Sequence, residues 1–417
     1  MKITSVRFVP GLSAYYFDDQ AAIAGNASSD GHFYSGSVQT PGFSSVRQSG
    51  EVVSVLLELD PGVWACGDCC AVQYSGAGGR HPLFVAETYA ALLAQHVGPS
   101  LIGLDAADFL GNTAALDKMV CDAQPLHTAA HYGISQALLD AAAISRGQTK
   151  TQTICALYGL AIPHERVPLF AQSGDDRYGG VDRMLMKQVD ALPHALINNV
   201  DEKLGRRGEK LLAYVQWLCE RIERARGLGV IPKSYEPQLH IDVYGTAGRA
   251  FDHNPAAIAD YLCELDEAAP GYALYIEGPV DMGERAAQID VLASITQRVN
   301  ERTDSLRIVA DEWCNTLEDI KAFVDARCCH MVQIKTPDLG GIHHTIAAVG
   351  YAKQHQVEAY QGGSCNETDI AARCCAQLAL ACQPDRLLVK PGMGFDEGMQ
   401  IVSNEINRTL AQIEAAS

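Results

Sequence analysis

From about residue 165 the chain keeps one rhythm, a short apolar run followed by an amphipathic stretch. The runs are "VPLFAQ" (167–172), "HALIN" (194–198), "LHIDVY" (239–244), "YALYIE" (272–277), "LRIVAD" (306–311), "HMVQIK" (330–335), "VEAYQ" (357–361) and "RLLVK" (386–390). Between them lie stretches with helical spacing, such as "PAAIADYLCELDEA" and "LEDIKAFVDARC". Eight strands alternating with helices over about 230 residues is what a (β/α)8 barrel needs. An open doubly wound sheet is the competing arrangement. The count of eight, and the lack of a G-x-G-x-x-G after a first strand, favour the barrel.

The part before residue 165 is built differently. "KITSVRFVPG" and "EVVSVLLELDPGVWACGD" read as strands with turns between them. "HPLFVAETYAALLAQHVGPSLIG" and "LHTAAHYGISQALLDAAAISRG" then read as helices. Strands followed by helices indicate an α+β unit. The expected division is an α+β domain over 1–160 and the α/β barrel over 161–417.

Several runs carry, at or near their C-terminal end, a side chain that can do chemistry. They are Gln172, Asp242, Glu277, Asp311 and Lys335, with Gln333 two residues before the lysine. In a parallel barrel all strand C-termini open on one face, so these residues would meet around one mouth. The acids are evenly spaced: 277 − 242 = 35 and 311 − 277 = 34 residues, each about one strand–helix unit. Three carboxylates packed together would repel, and some would protonate. A hard divalent cation resolves this, and three carboxylates plus waters suit Mg²⁺. The plainer alternative is that each acid caps the helix that follows it.

Lys335 comes 335 − 311 = 24 residues after the third acid, on the next strand around. Burial and a neighbouring cation both disfavour the ammonium form, so its pKa is expected to fall, which would suit a general base. Gln333 would share its barrel face. The alternative is a structural pair with Asp311. His194 is a second candidate base, on the other side of the acid strands, although it opens its run rather than closing it.

Charge narrows the partners. Lys plus Arg is 32 and Asp plus Glu is 50, a formal charge of −18. Such a surface repels nucleic acid and anionic membrane, so neither is expected as a partner. No stretch approaches 18 consecutive apolar residues, and "MKITSVRFVPG" lacks a long apolar h-region. The 14 cysteines mostly sit within apolar patterns, as in a reduced, cytosolic protein. "CGDCC" holds a C-x2-C (Cys66, Cys69), but no second pair completes a zinc set.

The acids, the lysine and the histidine together resemble the enolase superfamily, whose Mg²⁺-with-Lys/His chemistry is a general worked case. Within it, the chain resembles the methylaspartate ammonia-lyases. The matching stretches are "CAVQYSGAGGR", "FAQSGDDRY", "LPHALINNV", "HIDVYG", "YIEGPVD", "VADEWCNT", "QIKTPDLGG", "GGSCNETD" and "KPGMGFDEG". The resemblance implies a homodimer with an N-terminal α+β capping domain on the barrel. It implies reversible loss of ammonia from a small amino-acid substrate, L-threo-3-methylaspartate, to give mesaconate, with Mg²⁺ and a monovalent cation such as K⁺.

Position by position, the resemblance gives Asp242, Glu277 and Asp311 to the metal. Lys335 would take the C3 proton, and His194 would serve the opposite face and hence the erythro isomer. Gln172, Gln333, Ser364 and Cys365 would contact the substrate, with Gln73 reaching in from the cap and Tyr360 and Leu388 lining the pocket. Two positions depart from the family pattern: Ser364 stands in place of Thr, and Gln361 in place of a small residue. Another racemase, dehydratase or cycloisomerase of the superfamily is the alternative enzyme, and a non-catalytic barrel the alternative class.

Overall fold

The structure is a computed structural model that describes residues 1–25 and 27–416. Its N-terminal part holds a three-stranded antiparallel sheet of Ile3–Asp18, Arg47–Leu59 and Val63–Cys70, with Arg47–Leu59 in the middle. Alternation along the middle strand buries Val53, Val55, Leu57 and Leu59 completely. The helix Thr128–Arg146 covers this sheet. Helix and sheet touch backbone to backbone where Gly67 meets Gly133. A Cβ on Gly67 would stand 2.3 Å from the Gly133 carbonyl oxygen, and one on Gly133 would stand 2.4 Å from the Cys69 nitrogen. This approach explains the glycine inside "CGDCC". All 14 cysteines are free thiols, and no cysteine among the described residues joins a metal-ligand cluster.

The barrel closes with eight parallel strands in chain order. They are Leu169–Phe170, Ala191–His194, Gln238–Asp242, Leu274–Glu277, Leu306–Ala310, Met331–Ile334, Glu358–Gln361 and Arg386–Leu388. Helices follow the strands, from Gly179–Met186 to Phe395–Ala416, and pack around the outside. One strand differs from expectation. The second is Ala191–His194 rather than 194–198. Pro193 lies within it, which argues against a strand in the sequence. Beyond it, His194, Ala195 and Leu196 take φ of 66°, 69° and 51°, so "HALIN" turns instead of extending. His194 therefore closes its strand.

The barrel interior is packed rather than hollow. Phe170, Tyr275, Val309, Met331, Tyr360 and Leu388 fill it. Arg386 is buried among them, its guanidinium carbon 4.0 Å from the Tyr275 ring centroid. His240 stacks on Phe170 at 4.2 Å. No helix among the described residues is long and apolar enough to cross a membrane.

Candidate active site

Asp242 and Glu277 end the third and fourth strands and stand opposite each other in register. Asp311 follows the fifth strand directly. All three side chains are buried. Glu277 sits deepest and is gripped from two sides. Gln333 Nε2 donates to Oε1, and His240 Nε2 lies 2.7 Å from Oε2. Arg386 Nη1 lies 2.7 Å from His240 Nδ1 and can only donate, so Nδ1 holds a lone pair and Nε2 the proton that Glu277 receives. Asp242 accepts from the Tyr244 backbone N–H at 3.0 Å, and His194 Nε2 stands 3.5 Å from its other oxygen.

Electrostatics separates the three acids. Burial, and then neighbouring carboxylates, push Asp242 and Glu277 well above the usual carboxylate range. For Asp311 burial works the same way, but Lys335 and then Arg80 outweigh it and hold the group below its ordinary value. Two crowded acids that resist ionisation are a site where a cation is the natural counter-charge, and an all-oxygen set fits a hard one. The tightest spatial cluster is not the expected triad. Donor atoms of His194, Asp242 and Glu277 lie within 4.8 Å of one another, while Asp311 Oδ1 lies 2.8 Å from Lys335 Nζ. Imidazole suits softer metals better than carboxylate does, so the three acids remain the better set for Mg²⁺.

Lys335 departs from expectation. Burial lowers its pKa, but Asp311 more than reverses this, and the group stands above an ordinary lysine. The expected fall assumed a cation as the dominant neighbour, whereas the nearest charge here is an anion. His194 behaves as a buried, neutral imidazole, with a pKa lowered to about 4 chiefly by desolvation.

All of the candidate residues except Glu277 line one cavity at the barrel mouth, and Glu277 lies beneath it. From the cap, Gln73 donates to Asp18 at 2.6 Å, while its carbonyl oxygen lies 3.6 Å from the Cys365 thiol. Gln172 Nε2 is committed to the Gly392 carbonyl at 2.9 Å. Ser364 Oγ accepts from the Asn366 N–H at 3.1 Å. The Tyr360 hydroxyl and Gln333 Oε1 are buried without a hydrogen-bond partner. Gln361 does not line the cavity, and its amide donates outward to the Cys375 carbonyl at 2.9 Å.

Three contributors were not legible beforehand. Arg80 lines the cavity from a cap loop, with Nε 2.8 Å from Asp338 and Nη2 3.8 Å from Glu312. Its only sequence signal is an arginine closing "GAGGR". His240 and Arg386 sit beneath Glu277, and a histidine two residues before Asp242 on the same strand face was the available hint.

Comparison with known proteins agrees with this geometry. The family models "Methylaspartate ammonia-lyase N-terminus" and "Methylaspartate ammonia-lyase C-terminus" match residues 1–159 and 161–415. The chain belongs to the methylaspartate ammonia-lyase family. It is 55% identical to the methylaspartate ammonia-lyase of Citrobacter amalonaticus over 99% of each chain. The crystal structure of that enzyme containing (2S,3S)-3-methylaspartic acid superposes with a TM-score of 0.96, covering 99% of this chain and 100% of the other. The Mg complex of β-methylaspartase from Clostridium tetanomorphum superposes at 0.94, with 49% identity and full coverage of both chains. At 19% identity and a TM-score of 0.60, covering 91% of this chain and 85% of the other, the muconate lactonizing enzyme of Pseudomonas putida shares the fold. The chain is thus an ammonia-lyase by family, and its fold is shared with the muconate lactonizing enzyme.

Proposed function

We propose that the chain removes ammonia reversibly from L-threo-3-methylaspartate, giving mesaconate, with Lys335 as the base at C3. The observation that carries this is the placing of two bases on one cavity. Lys335 Nζ lies 2.8 Å from Asp311, His194 Nε2 lies 3.5 Å from Asp242, and both side chains face the same space. Two bases flanking an acid cluster can address opposite faces of one carbon, so Lys335 serves the threo substrate and His194 the erythro isomer.

Asp242, Glu277 and Asp311 are the residues that would hold Mg²⁺. When bound, the ion supplies a counter-charge to these acids and a Lewis acid for a substrate carboxylate, whose charge grows as the C3 proton leaves. Once Asp311 spends its charge elsewhere, burial is the strongest remaining influence on Lys335, and burial favours the neutral amine. Gln73, Gln172, Gln333, Ser364 and Cys365 offer the polar contacts for the substrate's carboxylates and amino group. Tyr360 and Leu388 supply the wall. A K⁺ requirement, a homodimer and a cytoplasmic location belong to the same reading, by analogy with the family.

The test is direct. Purified protein given L-threo-3-methylaspartate with Mg²⁺ and K⁺ should produce the ultraviolet absorbance of mesaconate. No absorbance there, with turnover of another carboxylate substrate, would replace this reading with a racemase, dehydratase or cycloisomerase.

A further inference from the structure

Away from the barrel mouth, three histidines and an aspartate converge on one point at the seam between cap and barrel. Asp117 closes the cap helix Phe109–Leu116, and His131 lies in the cap helix Thr128–Arg146. His343 and His344 come from the barrel, in the first turn of Ile342–Gln354. Asp117 Oδ1 lies 2.9 Å from His131 Nε2, 2.9 Å from His343 Nε2 and 3.5 Å from His344 Nε2.

Hydrogen bonding alone does not account for this arrangement. The Asp117 carboxylate faces three ring nitrogens, and His343 Nε2 is the one within hydrogen-bond geometry, at 2.9 Å from Oδ1 and 3.1 Å from Oδ2. His131 Nε2 is buried, yet it makes no hydrogen bond despite its closeness to Asp117. His344 is more telling. Its Nδ1 lies 3.1 Å from the Leu339 carbonyl, which can only accept, so Nδ1 carries the proton. In the neutral ring Nε2 then presents a lone pair to a carboxylate oxygen, a contact that turns favourable when a proton or a metal cation sits on Nε2. An imidazole that gives its far N–H to a backbone carbonyl and turns its other nitrogen inward is the usual posture of a metal ligand.

The spacing fits for three of the four groups. One ligand atom each from Asp117, His131 and His343 lies within 4.8 Å of the other two, and the two Asp117–imidazole separations of 2.9 Å are near the ~3.3 Å between donors on a tetrahedral zinc. Two glycines leave room for the rings. A Cβ on Gly340 would stand 3.3 Å from His131, and one on Gly341 would stand 2.1 Å from the His343 ring. Asp117 is 36% exposed, which leaves an entry path.

We propose that Asp117, His131 and His343, with His344 beside them on the same carboxylate, form a second metal site, for a divalent transition metal of the zinc type, which clamps the cap to the barrel. Two imidazoles and one carboxylate favour such a metal over Mg²⁺. The site is separate from the acid cluster, although His343 follows Lys335 by only 343 − 335 = 8 residues.

The experiment uses the full chain with Mg²⁺ in excess, so that the hard site does not compete. Zinc is titrated against a chromophoric chelator. One zinc per chain should bind in the wild type, with affinity falling at least tenfold in His131→Gln and in His343→Gln and lost in the double variant. Co²⁺ should give the visible bands of four-coordinate cobalt without a thiolate charge-transfer band, which excludes the cysteines as ligands. Zinc should also raise the unfolding temperature of the wild type and not of the double variant, whose circular dichroism without zinc should match the wild type. Equal zinc binding by wild type and double variant, or no zinc retained by the wild type at micromolar free metal, overturns the proposal.

Discussion

Two lysines occupy equivalent places in this barrel, and only one of them faces the reaction cavity. Lys335 follows the sixth strand in "QIKTP", and Lys390 follows the eighth in "LLVKPG". Each is paired with a carboxylate, Lys335 with Asp311 at 2.8 Å and Lys390 with Glu367 at 2.7 Å. Each stands above an ordinary lysine: burial pulls down, but Asp311 outweighs it for Lys335, and Cys375 and then Glu367 outweigh it for Lys390. Their surroundings differ. Lys390 is fully enclosed, and its three N–H bonds are taken by Glu367, the Gly362 carbonyl at 2.8 Å and Thr336 Oγ1 at 3.2 Å. A Cβ on Gly363 would come within 2.2 Å of both Glu367 and Lys390, so this pair shapes the loop that carries Ser364 and Cys365. The Lys335 side chain is 16% exposed, lines the cavity and has Asp311 as its one ion-pair partner among the described residues. Burial and a carboxylate partner are common to both lysines; an open side and valences not already committed are what Lys335 has and Lys390 lacks.

Removing each lysine should therefore fail in a different way. Lys335→Ala should cost about 10³-fold or more in kcat/KM for the threo substrate, with Mg²⁺ binding and unfolding midpoint little changed. Substantial threo activity in that variant would end the assignment of the base. Lys390→Ala should instead leave Glu367 as a buried, unpaired charge and destabilise the fold by about 3–5 kcal/mol. Urea unfolding reads this directly. Replacing both partners, Lys390→Met with Glu367→Leu, should recover much of the loss. A Lys390→Ala protein with wild-type stability and no activity would mean that the two lysines had been assigned the wrong way round.

Smaller effects sharpen the contrast between the two sides of the cavity. His194→Ala should lower kcat/KM for the erythro isomer about tenfold more than for the threo isomer, within the range expected of a general base. Equal losses would remove the two-face picture. The pH dependence has a definite sign. Only the neutral amine of Lys335 can take a proton, and its pKa stands above the ordinary lysine value, so kcat/KM should climb with pH on the alkaline side. Raising Mg²⁺ should move that climb to lower pH, because Asp311 then holds Lys335 less firmly as an ammonium. A climb that ignores Mg²⁺ concentration would uncouple Asp311 from the metal.

The same contrast marks how far the sequence could be read. Period and count made the barrel legible, because a strand and its helix recur at a nearly fixed length. The 35- and 34-residue intervals placed the acids, since a barrel turns regular spacing into common height. His194 was read at the wrong end of its strand, because Pro193 and three left-handed residues masked the pattern there. The partners of the site residues were out of reach for another reason. Arg386 meets His240 across 146 positions, Arg80 meets Asp338 across 258, and Gln73 meets Cys365 across 292. Such contacts are set by tertiary packing and leave no local periodicity. Gln361, the other departure from the family pattern, lies outside the cavity lining, and its amide donates to the Cys375 carbonyl.

Ser364 is the departure that does face the substrate space, and it carries the smallest expected effect. Its hydroxyl accepts from Asn366 N–H at 3.1 Å, and its own N–H donates to Glu367 at 2.9 Å. A threonine there would keep the hydroxyl in the same place, because that hydrogen bond holds χ1, and β-branching would stiffen it further. The added methyl must then take one of the two remaining staggered positions beside the cavity wall. One methyl in such a pocket is worth about 1 kcal/mol, or roughly fivefold, between substrates that differ by one carbon. Ser364→Thr should therefore shift the kcat/KM ratio between 3-methylaspartate and its 3-ethyl analogue toward the smaller substrate by about that factor, with the unfolding midpoint unchanged. An unchanged ratio would mean that the methyl points away from the substrate, and that this position tunes the Asn366–Glu367 turn rather than the pocket.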